Sequence, residues 1–237
     1  MPDKASSKTP LGKLYVVATP IGNLEDLTFR ALKILKEAAY IACEDTRHSR
    51  KLLVRYDLRK KLISYFEPRE QQKIPRIIHL LREGKDVALV SDAGTPGISD
   101  PGFPLIREAL RSGIEVVPIP GVSAVTTALS AAGLPTDRFL FLGFPPPKKQ
   151  AAKNLLETLS QEKATLVFYL PARKLLVFLE GISAVLGERK VVIAREMTKL
   201  HEEFQRGTPT QLRRLWETKS PKGEVTLLIE GFRKKKK

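Results

Sequence analysis

The amino-acid sequence predicts an α/β protein of two α/β domains, the first on a mainly parallel sheet and the second on a mixed sheet. Three observations carry this expectation. Short β-rich runs alternate with amphipathic helical stretches from Leu14 onward. The pattern changes character after Pro120. Two late runs, VVIARE at 191–196 and EEFQRG at 202–207, lie a few residues apart, the spacing of an antiparallel pair.

The first half supplies five candidate strands: LYVVA at 14–18, YIAC at 40–43, LISYF at 62–66, VALVS at 87–91 and IEVVPI at 114–119. Helical patterns separate them. Thr28 is placed to cap a helix whose Phe29, Leu32 and Leu35 share a face. Ile74, Ile77, Ile78 and Leu81 repeat that spacing before Gly84 ends the turn. Strands alternating with helices imply right-handed crossovers. The second half opens with helical text after Gly121, then FLFLGF at 139–144, a proline run at 145–147 and a helix near 149–159. TLVFYL at 165–170, a helix near 172–186, the antiparallel pair, a helix near 211–216 and VTLLIEG at 225–231 complete it. The expected division is a loose arm at 1–12, an N-terminal domain at 13–120, a C-terminal domain at 121–232 and a basic tail at 233–237.

Composition narrows the class. Hydrophobic residues at 42% allow a packed core, which excludes wholesale disorder. One cysteine forbids an internal disulfide and a cysteine-rich zinc site, and fits a reducing, cytoplasmic setting. The N-terminus has no apolar signal core, and no stretch approaches the roughly 18 apolar residues of a membrane helix. With 41 Lys or Arg against 26 Asp or Glu, the formal charge is +15, which points to a polyanionic partner. The terminal RKKKK reads either as a solubilising end or as an RNA-touching arm.

Three loops at strand ends are dense in glycine and proline: ATPIGN at 18–23, SDAGTPGISDPG at 91–102 and PIPGVSA at 118–124. In open α/β sheets ligands bind where such loops leave the carboxyl ends of strands. The bland alternative is a set of ordinary turns, with Pro101 opening a helix at its first position. Neither GxxxxGKS/T nor GxGxxG occurs, which argues against a P-loop or a simple Rossmann fingerprint. His48, His79 and His201 are scattered, Cys43 sits in an apolar strand, and no metal site is expected. Two charged segments end strands: CEDTRHSRK at 43–51, which also reads as a helix start, and REMTKLHEE at 195–203, which also reads as a solvated hairpin.

Taken together, ATPIGNLEDLT, CEDTRHS, SDAGTPGISDPG, PGVSA and REMTKLHEE resemble the tetrapyrrole methylase superfamily of S-adenosylmethionine-dependent enzymes, in the family's order. The chain is most similar to the branch that methylates the ribose 2′-hydroxyl of a cytidine in small-subunit ribosomal RNA. Where most members carry glycine-rich text in the first loop and G-D-P in the second, this sequence has ATPIGN and Gly94-Thr95-Pro96. Those departures move it toward RNA. The resemblance implies two α/β domains with S-adenosylmethionine in the cleft between them, and a homodimer. By position, the cofactor would meet Ile21, Gly22, Gly94, Thr95, Pro96, Gly97, Ile98, Ser123 and Ala124, then Tyr169, Leu170, Met197 and Thr198. The RGT at 206–208 also matches, as a structural segment.

Methyl transfer from a sulfonium is an in-line displacement, so alignment of donor and acceptor comes first. A ribose hydroxyl is a poor nucleophile, so a base should take its proton. Asp92 and Asp100 bracket the second loop and rank first, followed by Asp45, with Glu196 behind them. Arg47 and Lys199 are candidates for an RNA phosphate or developing charge. The expected partners are small-subunit rRNA or a 30S particle, with no membrane and no DNA. Competing readings are a methylase of the same scaffold acting on a tetrapyrrole or a protein side chain, and a non-catalytic RNA-binding assembly factor.

Overall fold

The computed structural model describes residues 10–67, 69–219 and 222–234. The chain forms two compact units that divide between Ser123 and Ala124. That is three residues beyond the Pro120 boundary expected from the change of pattern.

Unit 1 runs β1 (Leu14–Val17), α1 (Phe29–Glu37), β2 (Tyr40–Cys43), α2 (Thr46–Arg55), β3 (Lys61–Ser64), α3 (Glu70–Arg82), β4 (Val87–Val90), α4 (Phe103–Arg111) and β5 (Val116–Ile119). The strands lie in the order β3-β2-β4-β1-β5, and every pairing is parallel. A parallel sheet needs cover on both faces, and alternate residues supply it. Leu14, Ala42, Val87 and Leu89 pack with Ile77 and Leu81 of α3 and Leu105 of α4. Val17, Ile41, Cys43, Ala88 and Val90 pack on the other face with Leu35 of α1 and Leu53 of α2. Thr28 caps α1 by accepting from the Ala31 N–H, as the sequence predicts.

The expected arm is shorter than 1–12, and the bland alternative for Pro101 does not hold. Gly12, assigned to the loose arm, is buried: its N–H donates to the Leu81 carbonyl at 2.8 Å, and a Cβ there would collide with the Lys85 backbone. The remaining arm, residues 1–9, lies outside the described residues. Pro101 does not open a helix. Its carbonyl accepts from the Gly97 N–H, Gly102 turns the chain at φ +152°, and α4 starts at Phe103 with Pro104 in its first turn.

Unit 2 runs α5 (Ala124–Ala132), β6 (Phe139–Phe141), α6 (Lys149–Thr158), β7 (Thr165–Pro171), a 3-10 turn (Ala172–Lys174), α7 (Leu175–Leu186), β8 (Val191–Arg195), β9 (Glu203–Gly207), α8 (Pro209–Glu217) and β10 (Glu224–Ile229). The sheet order is β6-β7-β10-β8-β9, with β6 parallel to β7 and the remaining pairs antiparallel. It is therefore mixed, and β8–β9 is the antiparallel pair that their close spacing predicts. The core gathers Phe168, which meets Phe178 edge-on at 5.2 Å, with Trp216 and Leu227. The RGT segment is structural: the Arg206 guanidinium donates to the Ala131 and Ala132 carbonyls at the end of α5, and Thr208 forms a capping box with Gln211 on α8. Of the basic tail, residues 235–237 lie outside the described residues. No helix among the described residues is long and apolar enough to cross a membrane.

Candidate active site

All five strands of unit 1 point the same way, so the loops after β1, β2, β4 and β5 leave one edge of the sheet. Thr19, after β1, exchanges backbone hydrogen bonds with Gly94, after β4, at 2.8 and 3.0 Å. Its hydroxyl donates to the Ser91 carbonyl at 3.1 Å. The third loop packs closely on the first: a Cβ on Gly121 would stand 3.0 Å from that of Ala18. Gly94 and Gly97 hold φ values of +82° and +81°, which an L side chain rarely adopts. The three glycine-rich loops thus form one surface made largely of backbone. Gly22 and Ile98 are exposed on it, Ile21, Thr95 and Ser123 are half-buried, and Pro96 is buried. Ala124, half-buried, is the first residue of α5.

The β2 loop brings carboxylates to the same edge. Cys43 is in register with Val90, so Glu44 and Asp45 follow alongside Ser91 and Asp92. The Asp45 N–H donates to Asp92 Oδ1 at 3.1 Å, fixing the Asp92 carboxylate. Asp45 itself is committed elsewhere. It caps α2 through the Arg47 N–H at 2.7 Å and grips the Arg47 guanidinium at 3.2 and 2.8 Å. Those bonds hold its carboxyl well below the usual range, so it is a poor proton acceptor. Arg47 remains 87% exposed beyond that fork.

Glu44 is the residue that sequence reasoning passed over. Burial, then the charges of Asp92, Asp100, Glu67 and Asp45, push its carboxyl up to about 7. Its sequence signal, an acidic residue at a helix start, is indistinguishable from ordinary capping text.

In unit 2, Tyr169 meets Phe141 edge-on at 4.8 Å and Phe144 at 5.6 Å, and Leu170 lies in the core. Met197 is buried between Glu196 and Thr198, whose φ values are +47° and +67°. Two non-glycine residues in this region store strain, a feature concentrated at functional sites. Lys199 binds Glu196 and Glu224, each at 3.1 Å. Burial opposes its charge, but the two carboxylates outweigh that and raise its pKa. Burial likewise opposes the charge of Glu196, yet the Glu224 N–H at 2.9 Å and Lys199 keep its pKa low. Glu196 and Lys199 therefore brace the start of the β8–β9 hairpin against β10.

The chemistry of the loops selects among cofactors. Residues 18–23, 91–102 and 118–124 contain no Lys, Arg or His, while Asp92 and Asp100 lie within the second and Glu44 and Asp45 border it. Carboxylates at these loops oppose an added anion and suit a cationic group. Residues 13–213 match the family of tetrapyrrole (corrin/porphyrin) methylases. The chain belongs to this family. Its members depend on S-adenosylmethionine, a phosphate-free sulfonium that fits the donor set described.

Among relatives, the chain is 50% identical over 93% of its length to a protein named Ribosomal RNA small subunit methyltransferase I from Halalkalibacterium halodurans, of which it covers 76%. It is 48% identical to the Thermotoga maritima protein of that name, again over 93% of this chain and covering 99% of the relative. Among solved structures, uroporphyrin-III-C-methyltransferase from Thermus thermophilus superposes with a TM-score of 0.66 at 25% identity, covering 92% of this chain and 94% of that one. A cobalt precorrin-4 methyltransferase gives 0.67 at 19% identity, with the same coverage of both chains.

Proposed function

We propose that this chain is an S-adenosylmethionine-dependent methyltransferase acting on the ribose 2′-hydroxyl of a cytidine in small-subunit ribosomal RNA. The observation that carries the reading is the backbone-lined, carboxylate-bordered surface after β1, β4 and β5, in a chain about half identical to relatives named for rRNA methylation. A tetrapyrrole or a protein side chain as substrate gives no reason for a charge of +15. A non-catalytic RNA-binding factor gives no reason for a loop surface without a single basic residue.

When bound, S-adenosylmethionine supplies a methyl group already activated on sulfur. The residues proposed to hold it are Ile21, Gly22, Gly94 to Ile98, Ser123 and Ala124 of unit 1, with Tyr169, Leu170, Met197 and Thr198 of unit 2. Their work is alignment, worth roughly 7–11 kcal/mol of barrier when geometry is near-attack. Glu44 takes the proton from the ribose hydroxyl, because an acceptor with a pKa near 7 is matched to neutral pH. Asp92 and Asp100 act on Glu44 through their charge, and Asp92 is held in place by the Asp45 N–H. Arg47, positioned by Asp45 and open to solvent, meets an RNA phosphate. Lys199 keeps the hairpin that carries Met197 and Thr198 in shape. The reading includes a homodimer and a cytoplasmic location.

The test is transfer of labelled methyl from S-adenosylmethionine to small-subunit rRNA or 30S particles, with mass mapping of the product. A methylated cytidine ribose is the expected outcome. Label confined to protein or to a tetrapyrrole would overturn the proposal.

A further inference from the structure

Unit 2 carries a groove of about 750 Å3 between α6 and α7, with the prolines at 145–147 along one side. Its floor is apolar. Its rim carries Lys149, Lys153, Arg173 and Lys174 against one carboxylate, Glu180.

Three of those cations, Lys149, Arg173 and Lys174, sit with Lys148 at the starts of the two helices, while Lys153 pairs with Glu157 within α6. α6 begins at Lys149 directly after Lys148, and Arg173 and Lys174 lie in the 3-10 turn (Ala172–Lys174) that leads into α7 at Leu175. Neither helix has an acidic residue in its first turn or a side-chain cap. A helix N-terminus is the positive end of the macrodipole, where carboxylates are favoured and cations are opposed. Of the other helices, α1, α2 and α8 have a side-chain cap, whereas α3 and α4 do not. Lys149 is partly neutralised by Glu180 at 3.2 Å, whereas among the described residues Lys148, Arg173 and Lys174 have no carboxylate partner. Four cations at two positive helix ends are intelligible if an anion lies across them. At the groove, Phe144 is 57% exposed and meets Tyr169 only edge-on, leaving much of its ring in solvent.

We propose that this groove binds a single-stranded segment of RNA, its phosphates against Lys149, Arg173 and Lys174 and one base stacked on Phe144. The proposal rests on the rRNA reading for the identity of the polyanion, and supplies the place where the strand is held. A basic rim beside an exposed aromatic ring is the combination by which proteins hold unpaired strands. A second copy of the chain is a poorer occupant, because this rim meeting itself about a two-fold axis would oppose like charges.

The test is the salt dependence of binding to transcribed small-subunit rRNA, measured for the full chain and for the double variant Arg173→Ala/Lys174→Ala. On a single strand each phosphate bound contributes about 0.7 of a unit to the slope of log K against log salt, so the double variant should lose about 1.4. Its KM for rRNA should rise several-fold while kcat and the S-adenosylmethionine dissociation constant stay within about two-fold. Phe144→Ala should weaken RNA binding about five-fold or more and leave the slope unchanged, because stacking releases no counterions. An unchanged slope and affinity in the double variant would overturn the groove as an RNA site. A shift to monomer in sedimentation, with the slope intact, would also overturn it in favour of a second copy. If the unaltered protein binds rRNA with the expected slope but transfers no methyl group to it, the functional reading fails and the groove stands.

Discussion

A glutamate ordinarily ionises near pH 4.5, but Glu44 holds its proton to about pH 7 because it is half-buried among Asp92, Asp100, Glu67 and Asp45. Two consequences follow from that displacement. The proposed proton acceptor is half ionised at about pH 7, so methyl transfer should rise with pH through about 7 and level off above about 8. Glu44→Gln should lower kcat by roughly 10²–10⁴-fold and flatten that rise. The second consequence concerns stability. The folded protein binds more protons than the unfolded chain between about pH 4.5 and 7, so stability falls as pH rises through that window. Glu44→Gln removes this cost and should raise the melting temperature more at pH 8 than at pH 5. A variant with full activity and wild-type melting at both pH values would transfer the proton-acceptor role to Asp92 or Asp100.

At the scale of elements, the loop at 91–102 depends on one residue that carries no chemistry. Gly102 sits at φ +152°, and a Cβ there would lie 3.0 Å from the Gly97 nitrogen. Gly102→Ala should therefore displace the Gly94–Ile98 backbone and weaken S-adenosylmethionine binding by ten-fold or more in calorimetric titration. Cofactor affinity equal to the unaltered protein's would detach this loop from the pocket. The ten strands among the described residues are legible in the text because hydrophobic periodicity and turn residues are local signals. The Thr28 cap is legible for the same reason. Pro101 reads in the text either as loop or as a helix start, and the Gly97–Pro101 hydrogen bond assigns it to the loop. Gly12 misleads because polar, proline-flanked text says nothing about the Leu81 carbonyl that its N–H finds.

For the whole molecule, the excess of basic residues points to a polyanion, and the groove proposed to bind RNA would account for only part of it. The terminal RKKKK is the separable remainder. Deleting 233–237 should reduce the salt slope of rRNA binding by up to one unit for each phosphate no longer bound, without altering cofactor affinity. An unchanged slope would leave the segment as a solubilising end. Sequence alone determined the α/β class, the alternation of strands and helices, the glycine-rich loops and the family those loops resemble, because each is written in short runs of neighbouring residues. Tertiary structure decided which carboxylate carries the raised pKa, and that Asp45 is spent on Arg47 while Lys199 braces a hairpin. It also decided which cations at the groove face no carboxylate among the described residues. Those facts depend on contacts between segments remote in sequence, such as the Asp45 N–H that meets Asp92 Oδ1 at 3.1 Å across 47 residues of chain.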